Sequence, residues 1–526
     1  MPVRLTRCRK IALALTLLVL ATAPHRAAAQ GASYEQLQTF SSLINQIRLS
    51  YVDSVTYADL VHAAIDGVLS SLDPHSRFER RVDAEREMAY ESGALAGTGL
   101  YLDVVDDQVA VLAVQPRSPA ARAGVSPGDR LLSINDTSVS GLTSQEAGGR
   151  LIGDKGKKVR LMFARGTRLE PDSVPVTLKL DFLKPVAITA QRMVDPTTGY
   201  IRFAEFTLKG GEELEKAVGD LRGQGAKRLM LDLRGNPGGF LIAAEEIAGL
   251  FLPKDALIYR TDARRPSARS ELRNRRDGKF RELPLIVLID NGSASASEAV
   301  AATLQDHDRA LLLGRRSFGK ALVQQPFPLP PQGDMVWLTV ARIVTPSGRI
   351  IQRSYRGLKA AQYYSFAGKS GAEADTTEVF HTERGRAVRG GGGIAPDVAL
   401  PATATLPIWW AAAVDSGWYE AVPDSVAGLL PKDRARRLDW FDARADWQTR
   451  LVAPLLDRVR ARLSIAARPD SSLTARLGRI LAHRAAEVRW GDDAGDEFML
   501  HNDPDIQAAM GYWDRLPALL GGAAGK

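Results

Sequence analysis

Three patterns of apolar and polar positions follow one another along the chain. Residues 34–92 read as mostly helical: within 60–69 the apolar residues recur at helical spacing, and Asp73-Pro74 stops the pattern. Gly93, Gly97 and Gly99 open a second texture. From Gly99 to about Leu180, short runs at 100–104, 109–114, 131–134 and 159–163 alternate as strands do, with turn residues such as Ser126-Pro-Gly-Asp129 between them. A third begins near Gly199. There, nearly all-apolar runs at 228–233, 285–289, 310–313 and 336–340 alternate with helical stretches at 213–221, 243–251 and 295–304. Runs without polar alternation belong to strands covered on both faces, so this region predicts an α/β domain with a buried, largely parallel sheet. Gly390–Gly393 and Pro396 mark its exit, and beyond Pro401 an Ala-, Arg- and Trp-rich segment has helical spacing.

A chain of 526 residues is too long for one ordinary domain, and three or four units are expected. The boundaries read as a signal segment over 1–29, a helical region over 30–95, a β-rich α+β module over 96–182, the α/β core over 183–400 and a helical domain over 401–526. The signal reading rests on a basic stretch to Lys10, an apolar run from Ile11 to Ala23 and small residues Ala27-Ala28-Ala29 before Gln30. It implies export, with a periplasm as the expected compartment; an uncleaved membrane anchor is the rival. The net charge of +8 includes Arg4, Arg7, Arg9, Lys10 and Arg26, so losing this segment leaves +3 and charge indicates no nucleic-acid partner. The only cysteine, Cys8, lies in the same segment, which leaves no disulfide, thiolate metal site or cysteine nucleophile beyond it. Eight Arg or Lys between Arg264 and Arg281 read as a solvated hairpin or loop.

The chemistry concentrates in Asn291-Gly-Ser-Ala-Ser-Ala-Ser-Glu298 and Ser317-Phe-Gly-Lys320. A serine hydroxyl is a poor nucleophile until a base takes its proton, and a desolvated lysine can be that base. Ser295 followed by Glu298 also spells a capping box, which starts any helix. Both readings set Ser295 at a helix start, where the N–H of Ala296 faces incoming negative charge and suits an oxyanion. Gly238 or Gly239 would supply the second donor, since glycine backbone approaches a substrate closely. Burial of Lys320 between sheet and helix would favour its neutral form. Gly314-Arg-Arg-Ser-Phe-Gly-Lys320 imitates a phosphate-binding loop, but Ala321 stands where a hydroxyl should hold magnesium, and strand-like residues follow. A histidine triad fails on reach: His307 is twelve residues along the helix from Ser295, about 18 Å away. His75 reads as turn chemistry. No His, Asp and Glu spacing suggests a metal, and no cofactor is implied.

Several ordered motifs resemble the C-terminal processing peptidases, or tail-specific proteases. They are Tyr51-Val-Asp, Leu69-Ser-Ser-Leu-Asp-Pro-His-Ser76, Asp232-Leu-Arg-Gly-Asn-Pro-Gly-Gly239, the block from Asn291 through Gln324, and Thr345-Pro-Ser-Gly-Arg349. Gly99-Leu-Tyr-Leu and the stretch from Ser118 to Asn135 resemble a PDZ domain. The resemblance spans roughly 34–400 and implies a crotonase-like α/β protease core with an inserted PDZ domain and flanking helical regions. It implies Ser295 as nucleophile, with Ser293 and Ser297 as alternatives. Lys320, 25 residues on, would be the base, Gln324 the residue that orients it, and Glu298 a supporting carboxylate. The PDZ domain would take a substrate's apolar C-terminus as an added strand, its carboxylate on backbone N–H groups of Gly97, Thr98, Gly99 and Leu100. Two positions depart from the pattern. Leu151-Ile152-Gly153 stands where relatives read Leu-Arg-Gly, and Ala321 replaces a glycine. The first leaves open how substrate capture is coupled to cleavage. An adaptor protein, a homo-oligomer or membrane association stays open, as does a peptide-capturing scaffold with a silent core.

Overall fold

The computed structural model describes residues 34–521 except 106–107, 116–117, 124, 126–128, 143, 167–170, 332, 359–362, 364–377, 403, 405, 408, 411–412, 414–416 and 464–467. The signal segment over 1–29 and Ser126, Pro127 and Gly128 of the expected turn thus lie outside the described residues. The chain divides into two compact units, Met1–Phe78 and Glu79–Lys526.

In the first unit, residues 34–50 are helical and α1 (Tyr57–Ser70) follows, capped by the Thr56 hydroxyl on the N–H of Asp59. Asp73 then closes a turn by accepting from the N–H groups of His75 and Ser76, each at 2.9 Å. The aspartate side chain replaces a backbone acceptor here, the local device that favours this residue in turns.

In the second unit a helix over Arg81–Glu91 comes first, followed by β1 (Ala96–Gly97) and the antiparallel sheet β2 (Leu100–Val105), β3 (Gln108–Val114), β4 (Arg130–Ile134), β5 (Lys158–Gly166) and β6 (Pro171–Lys179), paired in that order. Its inward side chains, Val109, Val111, Leu131, Ile134, Leu161, Phe163 and Leu178 among them, form a separate core. β7 (Asp181–Phe182) returns the chain beside β1.

The large sheet runs β8 (Ile188–Asp195), β9 (Thr198–Phe203), β10 (Arg228–Asp232), β13 (Leu285–Ile289), β14 (Leu311–Gly314) and β17 (Val398–Ala399). All neighbours are parallel except β8 and β9. The all-apolar runs have a direct explanation. Leu229, Leu231, Leu285, Val287, Ile289 and Leu312 face a core closed by α2 (Gly210–Gly223), α3 (Leu241–Gly249) and α4 (Ala296–Asp306). The alternate residues Met230, Ile286, Leu288, Leu311 and Leu313 face a second layer. That layer comes from the C-terminal helices α8 (Asp492–Asn502), α9 (Pro504–Met510) and α10 (Leu516–Leu520), through Leu500, Ile506, Ala509, Leu516 and Leu520. Helices α5 (Trp418–Ala427), α6 (Ala453–Leu463) and α7 (Ser471–Trp490), with short helical turns over 437–452, pack a core of their own around Trp440, Phe441, Trp447 and Phe498.

One predicted strand belongs elsewhere. Residues 336–340 lie in β16 (Asp334–Val344), part of a second, antiparallel sheet with β11 (Leu257–Asp262), β12 (Ser270–Arg273) and β15 (Leu322–Leu329). They are half-buried, so an apolar run here did not mean a strand covered on both faces. The basic stretch makes the turn and second strand of the β11–β12 hairpin and the loop that follows it. Much of its charge is paired locally, as in Arg276 and Lys279 with Glu215 or Arg281 with Asp277.

Candidate active site

Three loops leave the C-terminal ends of adjacent parallel strands, the place where open α/β sheets gather their chemistry. After β10 comes Leu233–Gly239, after β13 Asp290–Ser295, and after β14 Arg315–Lys320. Backbone hydrogen bonds stitch them together: Ala294 N–H to the Asn236 carbonyl at 3.0 Å, and Phe318 N–H to the Ser293 carbonyl at 2.9 Å. Asn236 is fully buried. Its amide donates to the Phe203 carbonyl and its Oδ1 accepts from Gly238, which fixes the turn from within.

The three serines separate cleanly. Ser293 is fully buried, donating to the Leu233 carbonyl at 2.8 Å and accepting from the Asp290 N–H at 3.0 Å. Ser297 is fully buried and donates to the Asn236 carbonyl. Ser295 is half-buried, and its hydroxyl makes no hydrogen bond among the described residues. Its backbone is the anomaly, with φ 57° and ψ −115° at the head of α4. The caps of α1 and α7, Thr56 and Asp470, have ordinary extended backbone and accept from their own helices. Ser295 and Glu298 do stand in capping-box relation. The glutamate half is a hydrogen bond of 3.0 Å to the Ser295 N–H, while the serine half falls short of one. A non-glycine residue held at positive φ costs about 1–3 kcal/mol and survives only where its surroundings impose it.

Glu298 imposes it. Fully buried, its Oε2 accepts from the Ser295 N–H at 3.0 Å and the Lys320 N–H at 2.7 Å; its Oε1 accepts from the Gly319 N–H at 2.7 Å and from the Ser317 hydroxyl. Burial pushes the carboxyl up to about 7, against these four hydrogen bonds, which favour the ionised form. What the structure joins is therefore the backbones of Ser295 and Lys320, on one oxygen atom.

Lys320 is half-buried rather than enclosed, and it lies in a loop that leads into β15. A strand where a nucleotide-binding loop would need a helix ends the phosphate-loop analogy. Gln324 sits on β15 and donates to Thr339 across the sheet at 3.2 Å. The loop has a further brace that the sequence did not announce. Gln352 Oε1 accepts from the Ala321 N–H at 2.7 Å, the Arg353 N–H donates to the Gly319 carbonyl, and the Arg353 guanidinium covers the Phe318 ring. His307 caps the far end of α4, its ring between Glu383 and the Leu257 carbonyl, well away from Ser295.

Two expected donors need correction. The Gly238 N–H is already given to Asn236 Oδ1 at 2.9 Å, whereas the Gly239 N–H and the Ala296 N–H have no acceptor among the described residues. In the smaller module, the Thr98 N–H is given to the Leu151 carbonyl at 3.2 Å. Gly97 and Leu100 are drawn into strand pairing with Asp181 and Val114, and Gly99 holds φ 80° against Ser118. Ile152 bridges to Gly97, so the departing residue lies directly against this loop.

Glycine is required at the first turn. Gly238 has φ 104°, and a methyl there would stand 2.8 Å from Ser295 Cβ and 3.0 Å from the Ala296 nitrogen. Gly239 has φ 138° and faces the Phe206 carbonyl, 2.4 Å from such a methyl. Gly238→Ala should therefore push Ser295 and the head of α4 out of place and lower the thermal midpoint of the folded chain. A midpoint equal to the parent's in thermal unfolding would contradict this.

The sequence profile of peptidase family S41 matches residues 197–360, and that of a PDZ domain matches residues 111–165. The chain is 35% identical over 331 residues to a carboxy-terminal-processing protease of Bartonella bacilliformis, covering 61% of this chain and 73% of that protein. It is 36% identical over 297 residues to a carboxyl-terminal-processing protease of Synechocystis sp., covering 56% and 68%. Among solved structures it is similar to a photosystem II D1 C-terminal processing protease, with 23% identity and a TM-score of 0.39 over 69% of this chain and 92% of that one.

Proposed function

We infer the reaction from one premise: the chain belongs to peptidase family S41, with the carboxy-terminal-processing proteases, and is a serine-type peptidase carrying a PDZ domain. We propose that it is an exported, periplasmic endopeptidase that captures protein substrates by their apolar C-termini and cuts them with a Ser295–Lys320 dyad. Lys320 takes the hydroxyl proton as Ser295 attacks the scissile carbonyl, and it returns that proton to the leaving amine as the acyl-enzyme forms. Water, deprotonated by the same lysine, then releases the acyl group and restores Ser295. The N–H groups of Ala296 and Gly239 meet the oxyanion, and Gln324 orients the lysine. The core belongs with crotonase-like α/β folds in this reading, on the strength of its parallel β9–β10–β13–β14 run.

The observation that carries the reading is the single Glu298 oxygen shared by the N–H groups of Ser295 and Lys320, with Ser295 at positive φ. Among the described residues the Ser295 hydroxyl makes no hydrogen bond, a common state for a catalytic group before substrate closes the site.

A peptide with an apolar, free C-terminus and its C-terminal amide test the scheme together. The free acid should be cut at least about 10-fold faster, because the amide removes the charge that the PDZ loop would bind. Equal rates would sink recognition of the terminus, and cleavage that appears only with an added protein partner would replace direct capture by an adaptor. A serine-reactive fluorophosphonate should label Ser295; labelling elsewhere would displace it as nucleophile.

A further inference from the structure

The two loops that flank Ser295 are tied, from outside the catalytic core, to one residue of the C-terminal helical domain. Arg234 follows β10 and precedes the Gly238-Gly239 turn; Arg315 follows β14 and begins the segment that ends at Lys320. β10 and β14 are not neighbours, because β13, which leads to Ser295, lies between them. Yet both guanidinium groups converge on the carboxylate of Asp505, in the first turn of α9. Arg234 Nη1 donates to Asp505 Oδ2 at 2.8 Å; Arg315 donates through Nη1 to Oδ2 at 2.5 Å and through Nη2 to Oδ1 at 3.0 Å. Asp503, the cap of α9, adds two contacts to Arg234, accepting from Nη1 at 3.1 Å and lying 3.0 Å from Nη2, but none to Arg315 among the described contacts.

The other edge of Arg234 is fixed inside the core. Asp232 is fully buried and accepts from Arg234 Nε and Nη2, from Arg202 and from the Tyr200 hydroxyl. Burial opposes its charge, but Arg234 and Arg202 outweigh this and hold Asp232 below the usual carboxylate range. Arg234 is thus gripped on one side by its own strand and on the other by the distant domain. Arg315 lacks a carboxylate of its own strand; its further contacts go to the Pro401 carbonyl, and Asp505 is its acidic partner among the described contacts. The side chains of Asp505 and Arg234 are 7% and 11% exposed, so little water screens the pair. Two-pronged arginine–carboxylate contacts fix orientation as well as distance.

We propose that Asp505 is a positioning residue for catalysis: by holding Arg234 and Arg315 together across β13, it sets the spacing between the oxyanion turn and the lysine loop. This rests on the Ser295–Lys320 reading above. The C-terminal helical domain then acts on turnover chiefly through Asp505, the one carboxylate that reaches both arginines among the described contacts, without touching substrate.

Full-length parent and variants would be compared for fluorophosphonate labelling rate at Ser295 and for peptide kcat and KM. Asp505→Asn keeps the shape and one acceptor but loses the charge. Labelling and kcat should fall about 10- to 100-fold, with KM within about 2-fold, as expected when reacting groups shift by a fraction of an ångström to 1 Å. Arg315→Lys keeps the charge without the fork and should fall between parent and Asp505→Asn. Asp493→Asn, which loses only the exposed contact of the same domain to Arg192, should match the parent. Parent-like labelling and kcat in Asp505→Asn would overturn the proposal, and so would an equal loss in Asp493→Asn. A parent that is not labelled at Ser295 would instead overturn the catalytic reading beneath it.

Discussion

Alanine at Ser295 should lower kcat by about four to six orders of magnitude, leave KM close to the parent's and leave the thermal midpoint unchanged. The last part follows from geometry: the Ser295 hydroxyl makes no hydrogen bond among the described residues, so its removal breaks none. The neighbouring serines predict the opposite pattern. Ser293→Ala deletes a buried donor to Leu233 and a half-buried acceptor from Asp290, and should cost about 1–3 kcal/mol while keeping Ser295 reactive. Ser297→Ala removes one of two donors to the Asn236 carbonyl, which keeps the Ala294 N–H, and should cost less than Ser293→Ala while also keeping Ser295 reactive. Lys320→Ala should be as silent as Ser295→Ala, and the double variant no worse than either, because the two act as one unit. Lys320→Arg keeps the positive charge but cannot give up a proton, so it should also be inactive if the lysine works as a base. Hydrolysis by Ser295→Ala within about 10-fold of the parent would remove this residue from the mechanism, and activity in Lys320→Arg would remove proton transfer by the lysine.

What could be read from the sequence tracks how local each cause is. The run 285–289 was predicted and observed with the same bounds, because a strand buried on both faces leaves an unbroken apolar trace. The run 336–340 left the same trace from a half-buried hairpin strand, since aromatic and β-branched residues suit either setting. The loop before α4 was legible because its residues stand next to one another in the chain. Donor occupancy was not. Glycine announces that backbone can come close, but whether the Gly238 N–H faces a substrate or Asn236 Oδ1 depends on how the turn closes. The Thr98 N–H was lost to Leu151 for the same reason, through a pairing 53 residues away. The Asp505 contacts join positions 190 and 271 residues apart. Asp503-Pro504-Asp505 reads only as a helix start, which it also is, so nothing nearby marks the second role.

Glu298 should prove the least replaceable residue of the site, because it supports structure and geometry at once. Glu298→Ala would strand the N–H groups of Ser295, Gly319 and Lys320 and release the Ser317 hydroxyl from the carboxylate. At about 1–3 kcal/mol for each buried donor left unpaired, the loss approaches the whole stability of an ordinary domain. That variant should accumulate poorly or unfold tens of degrees early. Glu298→Gln is the sharper probe. Its amide has one acceptor oxygen and one donor NH2, so either the Ser295 and Lys320 N–H groups or the Gly319 N–H must lose their acceptor (the Ser317 hydroxyl can turn to accept), and kcat should fall at least about 100-fold. Protonation of the native carboxyl should act in the same direction, since an O–H facing two donors frees at least one of them. With the folded carboxyl pushed up to about 7 and the unfolded one near its ordinary 4.5, the folded chain holds a proton in this window that the unfolded chain lacks. This group alone therefore makes stability decline as pH rises from about 4.5 to about 7, while activity falls as pH drops through about 7. In the proposed scheme the proton on Glu298 silences the parent on its acid side in addition to any proton the base must shed. The acid limb of log kcat should accordingly be steeper by one proton in the parent than in Glu298→Gln. Equal slopes would mean that the Glu298 proton leaves the site intact, and that the four-way contact is structural only.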